Sequence, residues 1–138
     1  MGRAVEESNR RMLRARDMID RAYADDLDIP ALARAAHVSD AHFIRTFKDT
    51  FGETPHRYLQ RRRIERSMFL LRETRQSVTD ICFAVGFSSL GTFSRTFRAI
   101  MGESPTEYRR HTAGLPPVPT CFVMNWYRPS TEVKPAPQ

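Results

Sequence analysis

The stretch VGFSSLGTFSRTFRAIM, residues 85 to 101, is a glycine turn followed by a short amphipathic helix. Phe93 and Phe97 stand four apart and share one helix face, while Thr92, Ser94, Arg95 and Arg98 fall on the other. Fifty positions earlier stands HVSDAHFIRTFKDTFG, in which Arg45-Thr46-Phe47 answers Arg95-Thr96-Phe97. The device occurs twice, and the rest of the chain is arranged around the two copies.

Working outward, VTDICFAVGFS repeats the pattern of IPALARAAHVS, with Val78 matching Ile29, Ile81 matching Leu32 and Phe87 matching Val38 at a spacing of 49. After the turn the spacing becomes 50, and GETPHRY at 52 to 58 is answered by GESPTEY at 102 to 108. Pro30 suits a first helical turn, Leu32, Ala33 and Ala36 form an apolar stripe, and Ser77 with Asp80 suits a helix cap. Phe43, Phe47 and Phe51 recur every four residues, which predicts a helix from about Asp40 to Phe51 closed by Gly52. From Pro55 to Arg72 no residue breaks PHRYLQRRRIERSMFLLR, a rod of roughly 27 Å. Its Tyr58, Leu59, Ile64, Met68, Leu70 and Leu71 supply a core face, and Arg57, Arg61, Arg62 and Arg66 face solvent or a partner. Ahead of all this, Met12, Leu13, Ala15, Met18, Ile19, Ala22 and Tyr23 recur at helical spacing between Val5 and Tyr23.

The expected class is all-α. The expected divisions are an N-terminal helix with a first helix-turn-helix (1–54), a linker helix (55–73), a second helix-turn-helix (74–113) and a Pro-rich tail (114–138). Six of the nine prolines fall in that tail, which predicts extended chain. Its apolar centre, Cys121 to Tyr127, is expected to pack on its own domain or on a second chain.

At 138 residues the chain is one domain in size. The net charge of +6 is unevenly placed: residues 1–40 hold seven Lys/Arg against eight Asp/Glu, and residues 41–113 hold thirteen against seven. A basic excess located where the repeated device lies points to a polyanion partner. Cys82 and Cys121 are far apart, and Cys82 reads as a small core residue. No signal peptide or membrane-length apolar run is present, so a soluble, cytoplasmic protein is expected. His37, His42, His56 and His111 show neither ligand spacing nor a paired nucleophile. No catalytic residue, metal or cofactor is therefore expected.

A helix-turn-helix binds double-stranded DNA by bracing one helix across the backbone while the next reads base edges in the major groove. The front of the first copy carries Ala41, Ile44, Arg45 and Lys48; that of the second carries Leu90, Gly91, Thr92, Ser94, Arg95 and Arg98. Arginine can donate two hydrogen bonds to guanine O6 and N7, so Arg45 and Arg95 are the foremost base-reading candidates. Ala41, Ile44 and the Thr92 methyl suit thymine methyl groups. Ser39, Lys48, Ser89, Ser94 and Arg98, with Arg61 and Arg62 of the long helix, are the phosphate-contact candidates. One chain carries both reading heads, so dimerisation is not required, and a tail-mediated dimer stays open. The competing reading is a helical interaction module whose tail recruits RNA polymerase or another regulator subunit.

These residues resemble the AraC/XylS family of bacterial transcription regulators over roughly residues 8–111, most specifically in DICFAVGFSSLGTFSRTFRAIMGESPTEYR. The family elements are Ala-x-x-x-Gly-Phe, Phe-x-Arg-x-Phe, Gly-x-x-Pro and Tyr-Arg; Cys82 replaces the alanine of the first. The resemblance implies two helix-turn-helix subdomains on a long linker helix, with both recognition helices in successive major grooves. It carries base reading onto Ala41, Ile44 and Arg45, and onto Leu90, Gly91, Thr92 and Arg95. Ala41 and Gly91 are small where some relatives have large side chains, implying less direct readout and a different target. Only a short segment precedes the first helix, which reads as a stand-alone form or an excised domain. His37 stands where the second copy has Gly86, a position that needs positive φ.

Overall fold

Backbone conformation at two helix ends decides how each copy turns. The computed structural model describes residues 2–115, in which seven helices run in order and no strand occurs. They are α1 (Gly2–Ala22), α2 (Ile29–Ala35), α3 (Asp40–Phe51), α4 (Pro55–Glu73), α5 (Val78–Ala84), α6 (Leu90–Met101) and α7 (Pro105–Thr112). After α2, the His37 N–H reaches the Arg34 carbonyl at 3.0 Å and the Val38 N–H reaches that of Ala33 at 3.1 Å. After α5, the Gly86 N–H reaches the Phe83 carbonyl at 3.2 Å and the Phe87 N–H reaches that of Cys82 at 3.1 Å. Both pairs are the Schellman closure, which requires a left-handed residue just past the helix end. Gly86 adopts it at φ 103° and His37 at φ 60°. His37 thus sits in the conformation its alignment with Gly86 demands.

The described chain divides into two compact units, the first ending at Leu59 and the second beginning at Gln60, so the division falls within α4. Each unit has the same order: a long helix, a short helix, a helix backed by phenylalanines, and a closing helical turn or two. The opening turns of α4 close the first unit, and the rest of α4 opens the second.

In the first unit α1, α2 and α3 pack on one another. Met12, Ala15 and Ile19 of α1, at helical spacing, are buried with Leu32, Ala33, Ala36, Phe43, Phe47, Phe51, Tyr58 and Leu59. Leu13, expected in the same stripe, is instead 45% exposed, because it lies about 100° around the helix from Met12. The Tyr58 hydroxyl donates to Asp20 Oδ1 at 2.7 Å and ties α4 to α1. In the second unit the buried apolar residues are Ile64, Met68, Leu71, Ile81, Cys82, Val85, Phe87, Phe93, Phe97 and Tyr108. Burial pushes the Cys82 thiol pKa up, which keeps it protonated and inert as a core residue. Arg109 donates from Nε to the Leu71 carbonyl at 2.9 Å and from Nη2 to the Thr74 carbonyl at 3.3 Å, clasping the end of α4.

The caps repeat as well. Ser39 and Ser89 accept from the His42 and Thr92 N–H groups, each at 3.2 Å, and Gly52 and Gly102 end α3 and α6 at φ 82° and 81°. Thr54 and Ser104 begin the two Pro-led helices, and Ser104 with Glu107 completes a capping box. The apolar centre expected at Cys121 to Tyr127 lies outside the described residues.

Replacing His37 by glycine should raise stability by about 1 kcal/mol, because the left-handed strain exceeds the entropy that glycine adds to the unfolded chain. Gly86→Ala should lower it by a similar or larger amount, and urea unfolding followed by circular dichroism checks both signs. Glu107 has its carboxyl pKa lowered first by the Ser104 backbone hydrogen bond, then by the Ser104 side chain, with Arg98 and Arg110 adding. A depressed carboxylate stabilises above the ordinary carboxylate range and loses this as pH falls through its folded pKa. Thermal melts from about pH 6 to about pH 3 should therefore show an acid-side loss that Glu107→Gln reduces.

Candidate nucleic-acid interface

Burying one face of α3 decides what its other face can do. Phe43 and Phe47 are fully buried, and their rings meet edge-on at 5.7 Å, with Phe47 also edge-on to Tyr58 at 5.8 Å. This leaves Ala41, Ile44, Arg45 and Lys48 exposed together on the opposite side. Ile44, 37% exposed, belongs to the front and not to the core with Phe47. Ser39 lies just before α3, its oxygen accepting the cap bond and its hydroxyl proton left to donate elsewhere. Among the described residues, no hydrogen bond or ion pair holds Arg45 or Lys48.

The second unit repeats the arrangement with different chemistry. Phe93 and Phe97 meet at 5.9 Å, Phe97 meets Tyr108 at 5.6 Å, and Phe87 extends the row at 5.2 Å from Phe93. In front stand Leu90, Gly91, Arg95 and Arg98, all exposed, with Thr92 and Ser94 half-buried at the edge of the face. Ser89 Oγ caps α6 and also donates to Thr92 Oγ1 at 2.9 Å. Arg98 pairs loosely with Glu107 at 3.4 Å; both are well exposed, so solvent screens the pair. Within each unit, then, the structure brings the expected front residues onto one surface.

Two residues expected to contact phosphate lie against a carboxylate of their own helix. Arg61 is 3% exposed and its Nη1 lies 2.7 Å from Glu65 Oε1, while Arg62 Nη1 lies 3.3 Å from Glu65 Oε2 with 12% of its side chain exposed. The spacings of four and three put both guanidiniums beside one buried carboxylate, in the part of α4 that also buries Ile64 and Met68. Arg63 completes the run by lying over the Phe87 ring, 5.8 Å from its centroid. Sequence reading missed Glu65 as the organiser, although Arg-x-x-x-Glu at helical spacing is a legible signal. It also missed Arg109, whose backbone clasp leaves no trace in local sequence.

A family of helix-turn-helix domains matches residues 32–111, more than half the chain. The chain belongs to the AraC-type helix-turn-helix family. The transcriptional activator RhaS of Escherichia coli is 37% identical over 93 residues, covering 67% of this chain and 34% of RhaS. An AraC-type regulator structure from Chromobacterium violaceum is 29% identical with a TM-score of 0.70, covering 79% of this chain and 97% of that one. The DNA-binding domain of AdpA, solved with a target DNA, is 26% identical with a TM-score of 0.69, covering 72% and 90%. The chain spans about a third of the length of the curated relatives it matches. AraC-type membership accounts for the two helix-turn-helix units, and no helix among the described residues is long and apolar enough to cross a membrane.

Arg61→Ala should lower the unfolding free energy by about 3 kcal/mol, since a buried carboxylate loses its nearer partner. Arg98→Ala, which breaks an exposed pair, should change it by less than about 1 kcal/mol. Urea unfolding of the two variants separates these outcomes.

Proposed function

We propose that this chain is a sequence-specific double-stranded DNA-binding element of a transcription regulator, reading successive major grooves with α3 and α6. The observation that carries the reading is the equivalence of Arg45 and Arg95. Each stands exposed between two buried phenylalanines of the same helix, on a helix capped by serine and ended by glycine. A helix buried on its aromatic side and furnished in front with small side chains and one long bidentate donor fits a major groove. The AdpA domain, bound to target DNA in its own structure, supports the same use of this fold.

The front residues divide by role. Arg45 and Arg95 read guanine; Ala41, Ile44 and Leu90 offer apolar contact to thymine methyl groups, and Gly91 permits close approach. Ser39, Lys48, Ser94 and Arg98 contact phosphate and set register, and Ser89 adds its cap to the same edge. Two unlike fronts, Ala41/Ile44 and Leu90/Gly91, make the two half-sites different sequences. One chain thus reads an asymmetric site without a symmetric partner.

Binding of a duplex selected from a random pool, compared with random duplex over a salt series, tests the proposal. Arg95→Ala should lose about 1–3 kcal/mol on the selected duplex and relax preference at one base step. Lys48→Ala should weaken both duplexes alike and reduce the salt slope by about one. Equal affinity for both duplexes at every salt concentration would rule out sequence-specific reading.

A further inference from the structure

Arg45 and Arg95 are equivalent in sequence but are held differently. Arg45 projects from α3 with no hydrogen bond or ion pair among the described residues. Arg95 ends a short relay: Ser89 Oγ donates to Thr92 Oγ1 at 2.9 Å, and Arg95 Nη2 donates to the same oxygen at 3.5 Å. The other terminal nitrogen, Nη1, lies 3.4 Å from where a Cβ on Gly91 would stand. Side chains on a helix lean toward its N-terminus, so Arg95 lies back over the residues three and four before it, Thr92 and Gly91. The hydroxyl at one of these positions accepts its guanidinium, and the missing side chain at the other leaves it room. At the same places the first copy has His42 and Ala41.

A free arginine loses much of its rotamer freedom when it docks on a base, and a donor already biased toward one arrangement loses less. We infer that Thr92 is a positioning residue, whose hydroxyl, backed by Ser89 and beside the gap at Gly91, sets the Arg95 guanidinium before DNA arrives. The second unit is on this account the more discriminating reader, and the first, with a free Arg45, the more adaptable one. The inference rests on the base-reading role proposed above for Arg95 and moves Thr92 from direct reader to support.

The two roles of Thr92 make opposite predictions for near-isosteric changes. A direct reader that touches a thymine methyl survives Thr92→Val and fails with Thr92→Ser. A positioning residue fails with Thr92→Val and survives Thr92→Ser. The full chain carrying each change, alone and combined with Arg95→Ala, would be assayed on the selected duplex and on single-base variants of it, with circular dichroism melts confirming folding. The expected result is that Thr92→Val weakens preference by about three- to ten-fold at the same base step that Arg95→Ala relaxes. It should add nothing once Arg95 is alanine, and Thr92→Ser should stay within about two-fold of the parent. The reverse pattern, with Thr92→Ser losing preference at a step of its own, overturns the positioning role, as does equal weakening of selected and random duplex by Thr92→Val. If Arg95→Ala leaves every base preference intact, the reading role of Arg95 falls and the support falls with it. A failure at Thr92 while Arg95 still reads its step is therefore distinguishable from failure of the function itself.

Discussion

Phe47 meets Tyr58 edge-on at 5.8 Å, and fifty positions later Phe97 meets Tyr108 in the same way at 5.6 Å. These contacts fix the rotation of α3 and α6 about their own axes. An aromatic ring buries more area than any other side chain can offer at such a position, so turning the helix to expose it is strongly unfavourable. With rotation fixed, Arg45 and Arg95, each placed between two phenylalanines four apart, have to point outward. The exposed chemistry of each unit is thus a consequence of its aromatic back.

The turn between the paired helices obeys a second constraint, and the two copies meet it with different residues. Both use the Schellman closure, both need a left-handed residue, and Gly86 and His37 supply it. Glycine does so freely, whereas histidine is strained there. The first unit still folds to the same plan because Val38 behind the turn and Phe43 and Phe47 beyond it hold the closure in place. The duplicated plan lies in the packing and hydrogen bonds more than in residue identity.

Arginine meets several fates in this chain, and its count says little about which. Arg45 and Arg95 stand in solvent, Arg61 is buried against Glu65, Arg16 and Arg63 lie over the rings of Phe51 and Phe87, and Arg109 holds backbone carbonyls. The basic excess of residues 41–113 therefore overstates the positive charge free to meet a polyanion. Arg45, Lys48, Arg95 and Arg98 stand exposed on the fronts of α3 and α6, and Arg57, Arg75 and Arg110 are exposed elsewhere.

The helices, their caps and the duplication were legible in the sequence because they depend on local spacing: phenylalanines four apart, serine before a helix, glycine after it, proline at the next start. Even the positive φ at His37 followed from its alignment with Gly86. The front residues were legible for the same reason, since burying one face of a helix dictates the other. Residues whose environment comes from another helix, or from several turns of one helix packed into a core, were not. Arg61 and Arg62 looked like surface charge until burial set them against Glu65, and the clasp of Arg109 on α4 joins residues 38 apart. Local spacing by itself determined which side chains face outward. The tertiary structure alone decided which of the charges are buried and which stay in water, because Arg61 and Glu65 share a helix at local spacing but lose solvent only where the rest of the unit packs over them.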